Sequence, residues 1–276
     1  MNRRFILITL LALLLIGGFV ANTNAHAIQS ALIVPMAIPG KQPTHSIASS
    51  TSTPTQKTPG KIQPTGQNRG TMQIASTPLP TNILAQDTFQ RNNQPLWGLA
   101  TDGRSWDGDA NTSQAFSINA ATGQVSNAHG TVNAILGPSS DNVDVQANGM
   151  VNQFGNGVNM GVVLRWSNAQ NWYKALIDGN HLSILKRVNG ASTQVQAVPF
   201  HAKAGQVYTL RFQAIGVMLF AKVWPLNTQE PAQWMITVSD SALKDGKSGF
   251  RFVLQPTTVI NMTSFQVTPA TMGTDL

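Results

Sequence analysis

An all-β fold, a two-sheet antiparallel sandwich, is the class this sequence predicts, and three observations carry the prediction. Residues 161–190 alternate with period two: Val162, Leu164 and Trp166 against Gly161, Val163 and Arg165, then Tyr173, Ala175 and Ile177 against Trp172, Lys174 and Leu176. From residue 85 onward the chain consists of short β-type runs broken by Gly, Asn, Asp and Pro, with no stretch of helical period. No cysteine occurs, so the sandwich must be held by its core rather than by disulfides.

The elements follow in chain order. Arg3 and Arg4 precede an apolar run at 5–21, and small and polar residues then lead to Ala25-His26-Ala27. That order of charge, apolar run and A-x-A-like end predicts a secretory signal peptide over residues 1–27, with Gly17-Gly18 interrupting the run. The rival reading is an uncleaved N-terminal anchor, since 17 residues stand near the short limit of a membrane-spanning helix. Residues 28–82 are dominated by Pro, Thr, Ser, Gln and Gly, as in SIASSTSTPTQKTPGKIQPTGQNRG at 46–70. Such a segment buries too little apolar area to offset its ordering entropy, and it reads as a disordered tether. The folded domain is expected over 83–270, with a short tail at 271–276.

Within that domain, strands are expected at 85–90, 97–101, 114–118, 131–136, 141–151, 158–166, 171–178, 181–187, 192–198, 206–213, 216–224, 233–239, 249–254 and 257–267. Asp178-Gly179-Asn180 closes one turn, and Asn189-Gly190 supplies the left-handed residues that the next hairpin needs. The runs Val217–Ala221 and Phe250–Leu254 are apolar or nearly so on both faces, which predicts central strands covered on both sides.

Charge and motifs exclude several classes of function. The chain carries +7 overall, but over 85–270 there are 12 basic and 10 acidic residues, so the net charge of the domain is +2 and nucleic acid is not an expected partner. The five histidines are scattered without metal-ligand spacing, and no G-x-S-x-G, G-x-x-x-x-G-K or G-x-G-x-x-G motif occurs. Glycoside cleavage commonly needs two carboxyl groups, about 5 to 9.5 Å apart. The chain has one glutamate, Glu230, in a turn-forming context, where it reads as a solvated loop charge. Asp141 and Asp144, three apart, point to opposite faces of a strand. Asp107 and Asp109 share a face if extended; a simple turn, a calcium loop and a sugar-binding loop are all open to them.

Aromatic residues are the best functional handle, since a ring face can stack on the C–H face of a sugar while polar neighbours take its hydroxyls. If Tyr173 faces the core, Trp172 and Lys174 face outward, with Trp172 either a sugar platform or covered by a neighbouring loop. Trp106 in loop-rich sequence and Arg165 in mid-strand complete the candidate ligand set of Trp172, Lys174, Trp106 and Arg165.

The series Asp87-Thr88-Phe89, Gly161-Val162-Val163-Leu164-Arg165, Asn171-Trp172-Tyr173, Tyr208-Thr209-Leu210-Arg211-Phe212, Ala221-Lys222-Val223-Trp224-Pro225, Gly249-Phe250-Arg251 and Thr263-Ser264-Phe265-Gln266-Val267 resembles the concanavalin A-like lectin/glucanase superfamily. The resemblance is to its laminin G-like and 3-keto-disaccharide hydrolase-like branch, over about 85–268. It implies a jelly-roll sandwich and, at Asp87, a structural calcium near the paired terminal strands. The glucanase E-x-D-x-x-E pattern is missing, so glucanase catalysis is not implied. The metal candidates are therefore Asp87, Asp107 and Asp109. The expected function is a secreted noncatalytic carbohydrate-binding or adhesion module of the bacterial cell exterior, monomeric, with a polysaccharide or glycan as partner. It would touch a membrane only through an uncleaved N-terminus. An atypical glycoside hydrolase and a structural envelope domain are the alternatives.

Overall fold

The computed structural model describes residues 82–271. The signal-peptide or anchor reading of 1–27, nearly all of the linker and nearly all of the C-terminal tail lie outside the described residues. Among the described residues no helix is long and apolar enough to cross a membrane, and the one helical turn is a 3-10 turn at Asp109–Asn111.

Sixteen strands make up the domain. They are β1 Ala85–Asp87, β2 Gln94–Pro95, β3 Asp107–Gly108, β4 Phe116–Asn119, β5 Thr122–Val125, β6 Gly130–Ser140, β7 Val143–Val151 and β8 Met160–Asn168. The second half holds β9 Asn171–Ile177, β10 His181–Val188, β11 Ala191–Pro199, β12 Val207–Ile215, β13 Met218–Pro225, β14 Ile236–Ser239, β15 Gly246–Leu254 and β16 Ile260–Pro269. A nine-stranded sheet runs β14-β13-β12-β7-β16-β5-β4-β2, with β1 also pairing β16, and a seven-stranded sheet runs β11-β10-β9-β8-β15-β6-β3. Every pairing of named strands is antiparallel, so the expected two-sheet β-sandwich is the observed architecture.

Alternation along each strand sends one set of side chains between the sheets. Val162, Leu164, Tyr173, Ala175, Ile177, Leu182 and Ile184 from one sheet meet Val145, Ala147, Leu210, Phe212 and Phe265 from the other. Tyr173 faces this core as its parity requires, and its hydroxyl donates to Asp240 Oδ1 at 2.5 Å. Burial, together with that hydrogen bond to a carboxylate, pushes the phenol up to about 12. At one end of the core an aromatic cluster locks the sheets together. Trp97 makes edge contacts with Phe89, Trp106 and Phe116, and Trp106 stacks on Phe89 and Phe250. Each such fully buried side chain contributes about 1.5 to 3 kcal/mol through the area it removes from water.

The turns obey their chemistry. Asp178 Oδ1 accepts from the Asn180 and His181 amides, Gly179 sits at φ 99°, and Asn189-Gly190 adopts φ 50° and 85°. Several expectations need correction. The strand expected at 97–101 is only a one-residue bridge, Leu99 to Ser105, and the strand expected at 85–90 ends at Asp87 because Phe89 takes φ 56°. The hairpin of β4 and β5 lacked a turn signal because Ala120 and Ala121, at φ 48° and 56°, occupy positions that normally favour Asn or Gly. Of the two doubly apolar runs, β15 is central as expected. β13 stands one strand in from the edge, its outer face covered by Trp234 instead, and Val217 falls in the preceding turn, 48% exposed.

Candidate functional site

The outward face of the seven-stranded sheet gathers the basic and aromatic residues that the central hairpin presents. Cross-strand register builds it in rows. Arg187 lies directly opposite Trp172, and Leu185 lies opposite Lys174, which pairs Val163, then Gly249, Ile135 and Asp107. A third row runs Ser183, Leu176 and Gly161, and Arg251 opposes Asn133 on the neighbouring pair.

Trp172 and Lys174 do face away from the core, but neither is open to solvent: they are 3% exposed each. The Arg251 guanidinium lies over the Trp172 ring, 4.8 Å from its centroid, while the indole Nε1 donates to the Ala169 carbonyl in the adjoining turn. Of the two readings of Trp172, the open platform is corrected: the Arg251 guanidinium covers the ring. Lys174 lies across the space that Gly161 leaves empty, since a Cβ there would come within 2.2 Å of Lys174 Cε. Its ammonium nitrogen donates to Asn159 Oδ1 at 2.5 Å. Burial first, and the nearby Arg251 charge second, hold its pKa well below the ordinary lysine value.

Arg251 Nη1 donates to Asn133 Oδ1 at 2.6 Å, and Asn133 in turn donates its backbone and side-chain N–H groups to Asp109 Oδ2. Burial, then repulsion from Arg187, holds the Arg251 guanidinium below its usual value, with Asp109 acting in the opposite direction. Arg187 Nε is buried without a hydrogen-bond partner. Farther along the face, Asp107 pairs with Lys247 at 3.3 Å, beside a depression of about 390 Å³ lined by Arg104, Ser105, Ile135 and Pro138. The amide of Gly108 holds the Asp107 carboxyl below the usual range against the opposing effect of burial, with Lys247 adding to the lowering.

Three other candidates lie elsewhere. Arg165 is 1% exposed and leaves the face because the backbone bulges and takes φ 50° there. Its guanidinium donates to the carbonyls of Asp141, Gly216 and Leu243, a clamp on two turns and the segment after β14 instead of a ligand contact. Trp106 is in the aromatic cluster of the core, so it is no surface platform. Asp87 is fully buried and its two oxygens accept from the Phe89 amide, Arg91, Thr101 and Trp106 Nε1. Those donors saturate the carboxylate, and the residues at this position do not fit a calcium ion. Asp107 and Asp109 are engaged separately, by Lys247 and by Asn133, and among the described residues no group of three metal-ligating side chains forms.

The opposite, nine-stranded sheet carries a contrasting network. Arg211 donates to Asp144 and Glu230, Lys222 pairs with Glu230 at 2.7 Å, and both cations lie against the Trp234 ring. Burial pushes the Glu230 carboxyl up, but hydrogen bonds from Lys222 and Arg211 more than offset it and hold it below the usual range. The reading of Glu230 as a solvated loop charge is corrected by these two partners. Here each cation has a carboxylate, whereas Arg187 and Arg251 have none as an ion-pair partner among the described residues.

No family model and no curated protein matches the chain. Solved structures do share the fold. A xylan β-1,4-xylosidase from Bacillus halodurans C-125 aligns with TM-score 0.50 and 12% identity over 66% of this chain and 38% of that one. A GH43 protein from Bacillus licheniformis aligns with TM-score 0.51 and 11% identity over 67% and 39%. A carbohydrate binding module, CBM66, from Bacillus subtilis aligns with TM-score 0.47 and 16% identity over 58% and 94%. The chain spans about two-fifths of the length of the two larger proteins, and at these identities the likeness is one of fold.

Proposed function

We propose that the protein is a secreted, noncatalytic carbohydrate-binding module that meets a polysaccharide or glycan outside the cell through the outward face of its seven-stranded sheet. The observation that carries this reading is the Arg251 guanidinium laid over Trp172, beside Arg187 and Asn133, on the outward face of the seven-stranded sheet. Forked donors with free N–H groups, fixed on rigid strands, suit hydroxyl-rich ligands. A binder is favoured over a hydrolase because Glu230 is held in its ionised form by two cations, the reverse of what a general acid requires. The fold is shared with enzymes that include a xylosidase, which is consistent with a sugar-related role. The test is a glycan array on the full-length chain with and without calcium. Retention of polysaccharide, unaffected by calcium and without release of reducing sugar, is the expected result. No retention, or turnover of the bound glycan, would reject the reading.

A further inference from the structure

Two guanidinium groups stand together on the candidate face without a carboxylate to neutralise either. Arg187 sits across the strand pair from Trp172, and Arg251 covers that same ring from the other side. Both flank one ring, and the charge of Arg187 disfavours the protonated Arg251 guanidinium. Asp109 forms no ion pair with either: its Oδ2 is taken by Asn133, which passes only a neutral amide oxygen on to Arg251 Nη1. Lys174 is too deeply buried to act as a counterpart to anything but Asn159. Arg187 Nε is buried without a hydrogen-bond partner, so the guanidinium is not fully satisfied within the fold. On the opposite sheet the chain shows how it treats a structural arginine: Arg211 receives both Asp144 and Glu230. Arg165, which also lacks a carboxylate among the described residues, is satisfied by three carbonyls, whereas Arg187 and Arg251 stand on an outer sheet face.

We propose that this face selects an acidic polysaccharide, one carrying uronic-acid carboxylates, and that Arg187 and Arg251 together receive a carboxylate of the chain. The proposal rests on the carbohydrate-binding reading above and narrows its ligand class. A carboxylate accepts two parallel N–H bonds from a guanidinium fork, so it fits an arginine pair better than a hydroxyl does. Trp172 keeps its part as the support under the Arg251 guanidinium, while the depression by Asp107 and Lys247 leaves room for neighbouring sugar units along the same face.

The experiment compares retardation of the full-length chain in gels containing polygalacturonate, dextran sulfate or neutral xylan, at low and high salt. Polygalacturonate is expected to bind most tightly, with affinity falling as salt rises. Arg187→Gln is expected to weaken it at least about tenfold, and Arg187→Lys to weaken it less. Because Arg251 helps bury Trp172, Arg251→Gln is read only alongside an unchanged thermal midpoint, and Arg187, which does not lie over that ring, carries the decision. Equal binding of xylan and polygalacturonate, or Arg187→Gln with unchanged polygalacturonate affinity, overturns the acidic-ligand inference and leaves the carbohydrate reading standing. Binding of dextran sulfate alone overturns the carboxylate assignment. Binding of none of the three overturns both.

Discussion

Trp172 shows how much a single position can hide. Its parity, opposite to that of Tyr173, was legible in the alternation of residues 171–177; its burial was not, because the covering group, Arg251, comes from a strand about 80 positions later. Trp172→Ala removes a ring that is 3% exposed. We expect it to destabilise the domain by about 3 kcal/mol, measured as a lower denaturant midpoint. An unchanged midpoint would mean that the ring is not packed. Lys174 offers a second residue-scale test with a definite sign. Its folded pKa is depressed, so between that value and the ordinary 10.5 the unfolded chain binds more protons than the folded one. Stability from this residue therefore rises with pH across that window, and below the folded pKa the cost of burying or neutralising the amine is felt in full. Lys174→Met is expected to raise the melting temperature at pH 7 by more than at pH 10. Equal gains at both pH values would show that the lysine is charged in the fold.

At the scale of elements, hairpins explain which parts of the site the sequence could reveal. Across the β9–β10 turn the paired residue numbers follow from the loop, so Asp178-Gly179-Asn180 was enough to set Arg187 opposite Trp172, although that partner was overlooked. Nothing local sets β15 beside β8, so Arg251, Gly249 and Asn133 joined the face only through nonlocal pairing. Bulges defeat parity. Arg165 belongs by alternation to the face of Val163, yet its left-handed backbone redirects it to three carbonyls in the β6–β7 turn, the β12–β13 turn and the segment after β14. Arg165→Met leaves those carbonyls without their donor, and we expect a loss of about 3 kcal/mol with faster amide exchange at residues 141–143 and 216–218. Exchange unchanged in both turns would show that the clamp does not hold them.

For the whole molecule, fold class was the most legible property, because period-two alternation and turn residues recur along the domain and the absence of cysteine forced a packed core. Calcium at Asp87 and a platform at Trp106 were not supported, and for one reason: both residues close the aromatic end of the sandwich, where Trp106 Nε1 donates to Asp87 Oδ2 at 2.7 Å. Self-satisfied charges on the nine-stranded sheet and unmatched ones on the seven-stranded sheet give the two outer faces different roles, and the central claim is that only the second meets the glycan. The most direct measurement is polysaccharide affinity for two single variants of the full-length chain, Arg187→Gln on the seven-stranded face and Gln146→Ala on the exposed opposite face. The account predicts that Arg187→Gln loses at least about tenfold in affinity while Gln146→Ala binds as wild type; the reverse pattern, with Gln146→Ala losing binding and Arg187→Gln retaining it, would contradict it.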